Sequence, residues 1–205
     1  MFSTLYKYRK KLFRVAFFEI YYSIRLGKNF YKVYNDLIQA DSMPCPYYFI
    51  YVISKFIKKN SISSFIDLGS GNGRVINYLS KKTNSKLIGF EKDLEMYNYS
   101  IKNLSKNASV ENKDINLINY NRIQPDCYFL NTPILSDKML NNLINKIFLS
   151  NVRSKRKYYI VIINIDNILK NIKLDTIFEQ FDLKKFIDAG PIRTLRIYES
   201  KSINI

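Results

Sequence analysis

The stretch Ile66-Asp-Leu-Gly-Ser-Gly-Asn-Gly-Arg74 decides the fold predicted for this chain. Three of only 6 glycines in 205 residues fall within it, at positions 69, 71 and 73, so the backbone there needs glycine. A short apolar run ends at Asp67, and a helical pattern begins at Arg74. A glycine turn between a buried strand and a helix lets a ligand approach backbone N–H groups at the positive end of the helix. The stretch therefore predicts a binding loop for a cofactor with a nucleotide or amino-acid part.

Strand and helix patterns alternate from Ser61 to the end of the sequence. Repeating strand–helix units indicate an α/β fold, in which a mostly parallel sheet carries helices on both faces. The short connection Ala189-Gly-Pro191 joins the last two strands and requires one antiparallel edge strand. Asp93 and Ser136 are the predicted N-caps of two helices. The predicted strands are 64–67, 86–91, 108–111, 126–130, 157–164, 181–187 and 194–200, and the predicted helices are 74–81, 93–106, 136–149 and about 166–179.

The sequence before the first strand predicts a basic helical extension, residues 1–60, in front of a cofactor-binding domain, residues 61–205. Apolar residues recur at helical spacing within 1–35, and a second helix is expected at 47–59 after a break at two prolines. Glu19 is the one acid among many Lys and Arg residues in the first helix. Two roles remain open: its apolar stripe covers the core, or its cationic face contacts an anionic membrane surface or a nucleic acid.

Composition narrows the chemistry that the chain can perform. A net charge of +16 attracts phosphate-rich partners, although AT-rich codon usage produces the same Lys-rich composition. The absence of histidine excludes His-based triads and His metal ligands, and Cys45 and Cys127 form no zinc motif, so we expect no metal site. No long uncharged apolar run and no signal peptide is present in the sequence, which favours a cytoplasmic protein. Peripheral contact with an anionic membrane surface through residues 1–35 is one of the two roles left open for the first helix.

The glycines alternate as G-x-G-x-G, with an acid two positions before the first, whereas a dinucleotide loop prefers G-x-G-x-x-G. This pattern resembles motif I of the class I S-adenosylmethionine-dependent methyltransferases. The resemblance implies a Rossmann-like sheet of seven strands with an antiparallel C-terminal strand, and S-adenosyl-L-methionine as cofactor. It also implies that Asp67 holds the methionine ammonium group. The loop residues Gly69, Ser70, Gly71 and Gly73 would accommodate the methionine portion.

The same resemblance assigns two further acids to the cofactor. Glu91 follows the second strand and would hold the ribose hydroxyls, since a carboxylate has two acceptor oxygens for a vicinal diol. Asp114 would accept a hydrogen bond from the adenine amino group, and the backbone of Ile115 would face the ring. Glu111 is the alternative to Asp114 if the third strand is shifted by a few residues.

The sequence gives weaker evidence for the residues that contact the methyl acceptor than for those that bind the cofactor. Asn131-Thr-Pro133 loosely resembles the Asn-Pro-Pro-aromatic signature of amino-group methylases, in which the Asn contacts the target nitrogen. Thr132 and Ile134 depart from that signature, and Ile134 removes the aromatic platform for a base. Asn131 is therefore the candidate substrate contact, and a plain turn residue before proline is the alternative.

Upstream, Met43-Pro-Cys-Pro-Tyr-Tyr48 and its helix are similar to the segment that precedes motif I in small protein-lysine methyltransferases. That similarity implies N-methylation of a lysine side chain on a protein. Two alternatives remain: methylation of RNA or DNA, which the basic composition favours, and a non-catalytic module that binds S-adenosylmethionine or NAD.

Overall fold

A computed structural model describes residues 2–25, 44–131, 137–152, 156–163, 179–188 and 193–201. Short 3-10 turns occupy Ile101–Asn103 and Ile115–Leu117. The helices are α1 (Phe2–Arg25), α2 (Tyr47–Lys59), α3 (Arg74–Ser80), α4 (Leu94–Ser100) and α5 (Asp137–Val152). The strands are β1 (Ser64–Leu68), β2 (Lys86–Glu91), β3 (Ala108–Asn112), β4 (Cys127–Asn131), β5 (Tyr159–Ile163), β6 (Phe181–Asp188) and β7 (Thr194–Ser200).

The strands form one 7-stranded sheet in the order β3-β2-β1-β4-β5-β7-β6. The first five strands pair in parallel, and β7 pairs antiparallel with both β5 and β6. The predicted fold class, a mostly parallel seven-stranded sheet with an antiparallel C-terminal strand, is thus confirmed. The antiparallel strand is not the edge strand, so that detail of the prediction is wrong. Leu195 and Ile197 make β7 a buried strand, whereas most of β6 is exposed and carries Lys184 and Lys185, which suit an edge.

Apolar residues cover both faces of the sheet, as a parallel sheet between helices requires. One face packs Phe65 and Phe129 against Ile53 of α2 in a buried cluster. The opposite face packs Tyr128 and Leu143 of α5 in a second cluster. Because successive residues of a strand point to opposite faces, the continuous apolar runs of β1, β4 and β5 supply both clusters.

Most predicted helix boundaries agree with the structure, and one helix is shorter than expected. Asp93 is confirmed as an N-cap, since its side chain accepts the Met96 N–H at 2.9 Å. The helix that it caps, α4, ends at Ser100 and tightens into a 3-10 turn instead of reaching position 106. The proposed Ser136 cap, the helix around 166–179 and the 189–191 connection lie outside the described residues.

The basic N-terminal segment is helical as α1 and packs on the rest of the chain. Val15, Phe18 and Tyr22 lie against the cluster that contains α2, while α2 itself is part of the core beneath the sheet. No helix in the described part of the chain is both long and apolar enough to cross a membrane. The division into residues 1–60 and 61–205 stays a prediction.

Candidate cofactor-binding site

Four predicted site residues lie at one edge of the sheet. Parallel strands present their carboxyl ends at the same edge, and in this sheet those ends carry Asp67 in β1, Glu91 in β2, Asp114 just after β3 and Asn131 in β4. Since β1 lies between β2 and β4, the four residues follow one another along the edge in the order Asp114, Glu91, Asp67, Asn131. The chain order reverses on the two sides of β1, which is the switch point where open α/β sheets bind ligands.

Asp67 is the most unusual group in this arrangement. Its side chain is 1% exposed, and neither carboxylate oxygen has a hydrogen-bond partner among the described residues. Burial, reinforced by the negative charge of Glu91, raises the pKa of Asp67 to about 8. A buried carboxylate without a partner is costly, so this position is suited to a ligand that brings a positive charge or hydrogen-bond donors.

The glycine loop that follows Asp67 leaves open space at two of its positions. Gly69 and Gly71 have φ angles of +91° and +54°, a left-handed region that favours glycine. A Cβ atom added to either would meet no atom within 4 Å, so the loop faces open space on that side. The N–H groups of Gly69 and Ser70 both donate to the Phe90 carbonyl, which ties the loop to the end of β2. The buried Ser70 hydroxyl has no partner among the described residues.

Gly73 is required by packing. It has a φ angle of +75°, and an added Cβ would lie 2.9 Å from the Cβ of Ser100 in α4. Its N–H donates to the Ser70 carbonyl at 2.9 Å, which closes the turn. Gly89 of β2, which sequence analysis did not single out, has a related role, since a Cβ there would lie 2.9 Å from the side chain of Ser70. Contact of Gly73 with the cofactor stays a prediction.

Glu91 connects the loop to the neighbouring strand. Its Oε2 accepts the Gly71 N–H at 2.7 Å, and its Oε1 accepts the Asp93 N–H at 2.9 Å. The carboxylate is half-buried, so one side of it remains reachable from the loop. Glu91 therefore holds the backbone of Gly71 in place, beyond the ribose contact predicted for it.

Asp114 lies two residues beyond the end of β3, next to the 3-10 turn that begins at Ile115. Its Oδ1 accepts the backbone N–H of Asn116 at 2.8 Å, and the Ile115 carbonyl accepts the Tyr120 hydroxyl. The alternative residue, Glu111, lies inside β3 opposite Phe90. Asp114 is thus the acid at the strand end, where an adenine ring could be reached.

Asn131 is the last residue of β4 and pairs with Ile163 of β5. It is half-buried and adjacent in the sheet to the strand that carries Asp67. Residues 132–136, which contain the rest of the Asn-Thr-Pro motif, lie outside the described part of the chain. Its role as substrate contact stays a prediction.

Sequence analysis missed a buried ion pair behind the loop. Arg74, the first residue of α3, places its Nη1 3.0 Å from Oε2 of Glu19 in α1. The Arg74 guanidinium also lies 4.6 Å from the centre of the Tyr47 ring, and its Nη1 donates to the Cys45 carbonyl at 3.4 Å. Oε1 of Glu19 accepts the Tyr47 N–H at 2.6 Å. This network, the Glu19 network, joins α1, the start of α2 and the helix that follows the glycine loop.

The far end of the same edge carries basic side chains. The chain direction of β6 matches that of β5, so Asp188 ends β6 on the site edge, where Lys11 of α1 lies 3.6 Å from its carboxylate. A cavity of about 300 Å³ opens there and is lined by Lys11, Arg14, Tyr48, Phe186, Ile187 and Asp188. The helix α1 thus extends from the end of the edge strand β6 to the helix that follows the glycine loop.

The residues present fit a cationic, amino-acid-containing nucleoside such as S-adenosylmethionine. The buried Asp67 carboxylate lacks a donor, the loop at Gly69 and Gly71 leaves open space, and Glu91 follows on the next strand. The pyrophosphate of a dinucleotide at this loop would instead bring negative charge close to the carboxylate of Glu91, and like charges repel. No group of three or more potential metal ligands occurs among the described residues.

Substitution at the open glycine should separate ligand binding from folding. We expect Gly71→Val to weaken S-adenosylmethionine binding at least tenfold, because its side chain would occupy the open space at the loop. Strain from the left-handed backbone should cost about 1–2 kcal/mol of stability. Calorimetry and thermal unfolding measure the two effects.

The matched variant is Gly73→Val, which has the same backbone strain but points at Ser100. It should lose more stability than Gly71→Val, because the collision adds about 1–3 kcal/mol of overpacking. Wild-type affinity in Gly71→Val would contradict the assignment of the open face as the ligand side.

The geometry, an open α/β sheet with β7 inserted antiparallel beside β5 and a glycine loop after β1, defines the fold of the class I S-adenosylmethionine-dependent methyltransferases. Solved structures share this fold. An RNA methyltransferase from Salinibacter ruber, in complex with S-adenosyl-L-homocysteine, is 13% identical, with a TM-score of 0.55 over 80% of this chain and 97% of that one. The precorrin-6y C5,15-methyltransferase from Geobacter metallireducens is 15% identical, with a TM-score of 0.59 over 80% and 93%.

A methyltransferase from Geobacter sulfurreducens is 8% identical, with a TM-score of 0.60 over 83% of this chain and 86% of that one. No protein-family description matches the sequence, and no curated protein matches it. At these identities the similarity establishes the fold alone.

Proposed function

We propose that this protein is an S-adenosylmethionine-dependent methyltransferase that transfers a methyl group to an amino nitrogen of a macromolecule. The observation that carries the proposal is Asp67, a buried carboxylate without a hydrogen-bond partner that faces an open glycine loop at the switch point of the sheet. Such a group is unfavourable in the free protein and becomes favourable when a cation binds against it.

The order of acids along the sheet edge matches the parts of this cofactor. Asp67 would hold the ammonium group, Glu91 the ribose hydroxyls and Asp114 the adenine amino group, with the Ile115 backbone at the ring. When bound, S-adenosylmethionine supplies a methyl group on a positively charged sulfur. The chain contributes orientation and exclusion of water, which such a transfer needs more than a strong base.

On the acceptor side, Asn131 would accept a hydrogen bond from the incoming amine. A neutral amine is required, because a protonated nitrogen has no lone pair with which to attack. The protein has no histidine to act as a base, but the positive sulfur of a bound S-adenosylmethionine would disfavour a second positive charge on a lysine beside it. A lysine side chain of a protein is therefore a suitable acceptor.

RNA is the second candidate acceptor, and a specific observation favours it. Lys11 and Arg14 line the cavity at the acceptor side of the sheet edge, where phosphate groups of a bound strand would find cationic partners. Contact with Asp188 partly offsets the charge of Lys11. The cavity is therefore weaker evidence for an RNA acceptor than the net charge of the whole chain is.

The proposal predicts which cofactor binds. By calorimetry, S-adenosylmethionine and S-adenosylhomocysteine should bind, and NAD should show no measurable heat, because its pyrophosphate would lie close to the carboxylate of Glu91 and offers no cation to Asp67. Binding of NAD without S-adenosylmethionine would overturn the proposal.

The acceptor is identified with labelled S-adenosylmethionine and an extract of the source cells. Label that protease releases and ribonuclease does not would support a protein acceptor, and the reverse result would support RNA. Cofactor binding without transfer to any extract component would leave a binding module instead of an enzyme.

A further inference from the structure

The outer side of α1 carries large apolar side chains that are exposed. Phe13, Phe17, Ile20 and Tyr21 are 72%, 55%, 45% and 44% exposed. At 100° per residue they fall within a sector of roughly 100° on one side of the helix. We call these four residues the outer face of α1.

The helix is attached to the protein by its opposite side. Val15, Phe18 and Tyr22 pack against the core, and Glu19 pairs with Arg74. The exposure of the outer face is therefore not the result of a helix that lacks a docking site. Both sides of α1 are apolar: the inner side packs against the core, and the outer side is exposed.

The charged residues that α1 itself places at the outer face are cationic. Lys10 lies within the same sector and Arg14 lies beside it, and both are exposed. Glu19, the one acid of α1, is turned inward to Arg74. Rings and an aliphatic side chain next to cations, with no acid, are typical of helices that lie in the interface of an anionic bilayer.

We propose that the outer face of α1 docks the protein onto the surface of an anionic lipid bilayer, with the rings at the acyl boundary and Lys10 and Arg14 at the headgroups. A second copy of this chain is disfavoured as occupant, because its own cations would meet these. Ile20 and the phenyl rings offer no hydrogen bond to a base, which favours lipid over nucleic acid. The inference does not rest on the proposed methyl transfer.

Docking in this way would place the acceptor side of the site next to the membrane. Lys11 lies at the end of β6 and Glu19 at the start of α3, so α1 follows the edge of the sheet that carries the site. An acceptor held at the bilayer surface would then approach from the side of Asn131 and the 300 Å³ cavity.

The experiment is co-sedimentation of the full chain with vesicles of phosphatidylcholine alone or mixed with phosphatidylglycerol. We expect binding to the mixed vesicles, and a loss of at least tenfold in Phe13→Ser/Phe17→Ser, since both rings would otherwise leave water. Lys10→Gln should weaken binding severalfold and reduce its dependence on salt. Circular dichroism and S-adenosylmethionine binding should remain as in the wild type in both variants, which separates this inference from the proposed function.

The matched control is Leu149→Ser/Leu183→Ser, which removes two apolar side chains with exposed fractions of 65% and 52% from other surfaces. This variant should bind vesicles as the wild type does. Equal loss in the control and the outer-face variant, or no loss in the outer-face variant, would overturn the proposal. Failure of the wild type to bind the mixed vesicles would also overturn it. If the two phenylalanines were then found necessary for RNA binding or for self-association, the occupant of the outer face would be RNA or a second copy of the chain.

Discussion

Asp67→Asn should greatly weaken cofactor binding, and it should make the stability of the free protein less sensitive to pH. An amide of the same shape cannot form an ion pair with the ammonium group of S-adenosylmethionine. Loss of one partner of a buried charge pair costs about 2–5 kcal/mol, so affinity should fall roughly 30-fold to several thousand-fold. Calorimetry near neutral pH measures this effect.

The stability effect follows from the pKa of Asp67, which burial raises from 3.8 to about 8. Between these values the unfolded chain has lost this proton and the folded chain retains it, so the free energy of unfolding falls as pH rises from about 4 to 8. Asp67→Asn has no proton to lose, and its stability should change less over that range. The difference between wild type and variant can be measured because no histidine titrates in this range. The two thiols do not interfere either, since burial raises the pKa of Cys45 and of Cys127.

A bound cation should reverse this trend, because it stabilises the ionised carboxylate. The affinity of the wild type for S-adenosylmethionine should therefore rise between about pH 5 and 7, below the range in which an α-amino group loses its own proton. Asp182→Asn is the control, since Asp182 is an exposed carboxylate of β6 paired with Lys184. A control that shifted the pH profile as much as Asp67→Asn would show that the effect is not specific to the buried site.

The strands and the glycine loop could be predicted because their signals are local. An apolar run, an acid and three alternating glycines lie within ten consecutive positions, and each signal depends on neighbours along the chain. Asp93 was recognisable as an N-cap for the same reason, because a cap contacts the next turn of its own helix.

Features that depend on distant pairings were not predictable. Gly89 is needed because an added Cβ would lie 2.9 Å from the Ser70 side chain, and only the pairing of β1 with β2 reveals that close approach. The position of β7 between β5 and β6 likewise depends on the whole sheet, because the more apolar of the last two strands takes the interior position and the other becomes the edge strand. Glu19 looked like an interruption of a basic helix, although its partner lies 55 positions further along the chain.

Glu19→Ala should destabilise the protein by about 3–5 kcal/mol, the usual cost of leaving one member of a buried ion pair without its counter-charge. The side chains of Arg74 and Glu19 are 5% and 12% exposed, so water cannot replace the lost partner easily. The Tyr47 N–H would lose its acceptor as well. Urea unfolding should show a lower midpoint with a similar slope.

Two comparisons show whether the buried charge causes that loss. Lys11→Gln breaks an exposed pair on the same helix, at 3.6 Å from Asp188, and should cost less than about 1 kcal/mol. The double variant Glu19→Met/Arg74→Met should recover much of the lost stability, because an apolar pair needs no counter-charge. Arg74 begins the helix after the glycine loop, so loss of its partner should also disturb the loop. Glu19→Ala should therefore weaken S-adenosylmethionine binding at a temperature at which the variant is still folded. If the losses of stability in the single variants Glu19→Met and Arg74→Met added up to the loss in the double variant, the pair would not hold α1 to the loop.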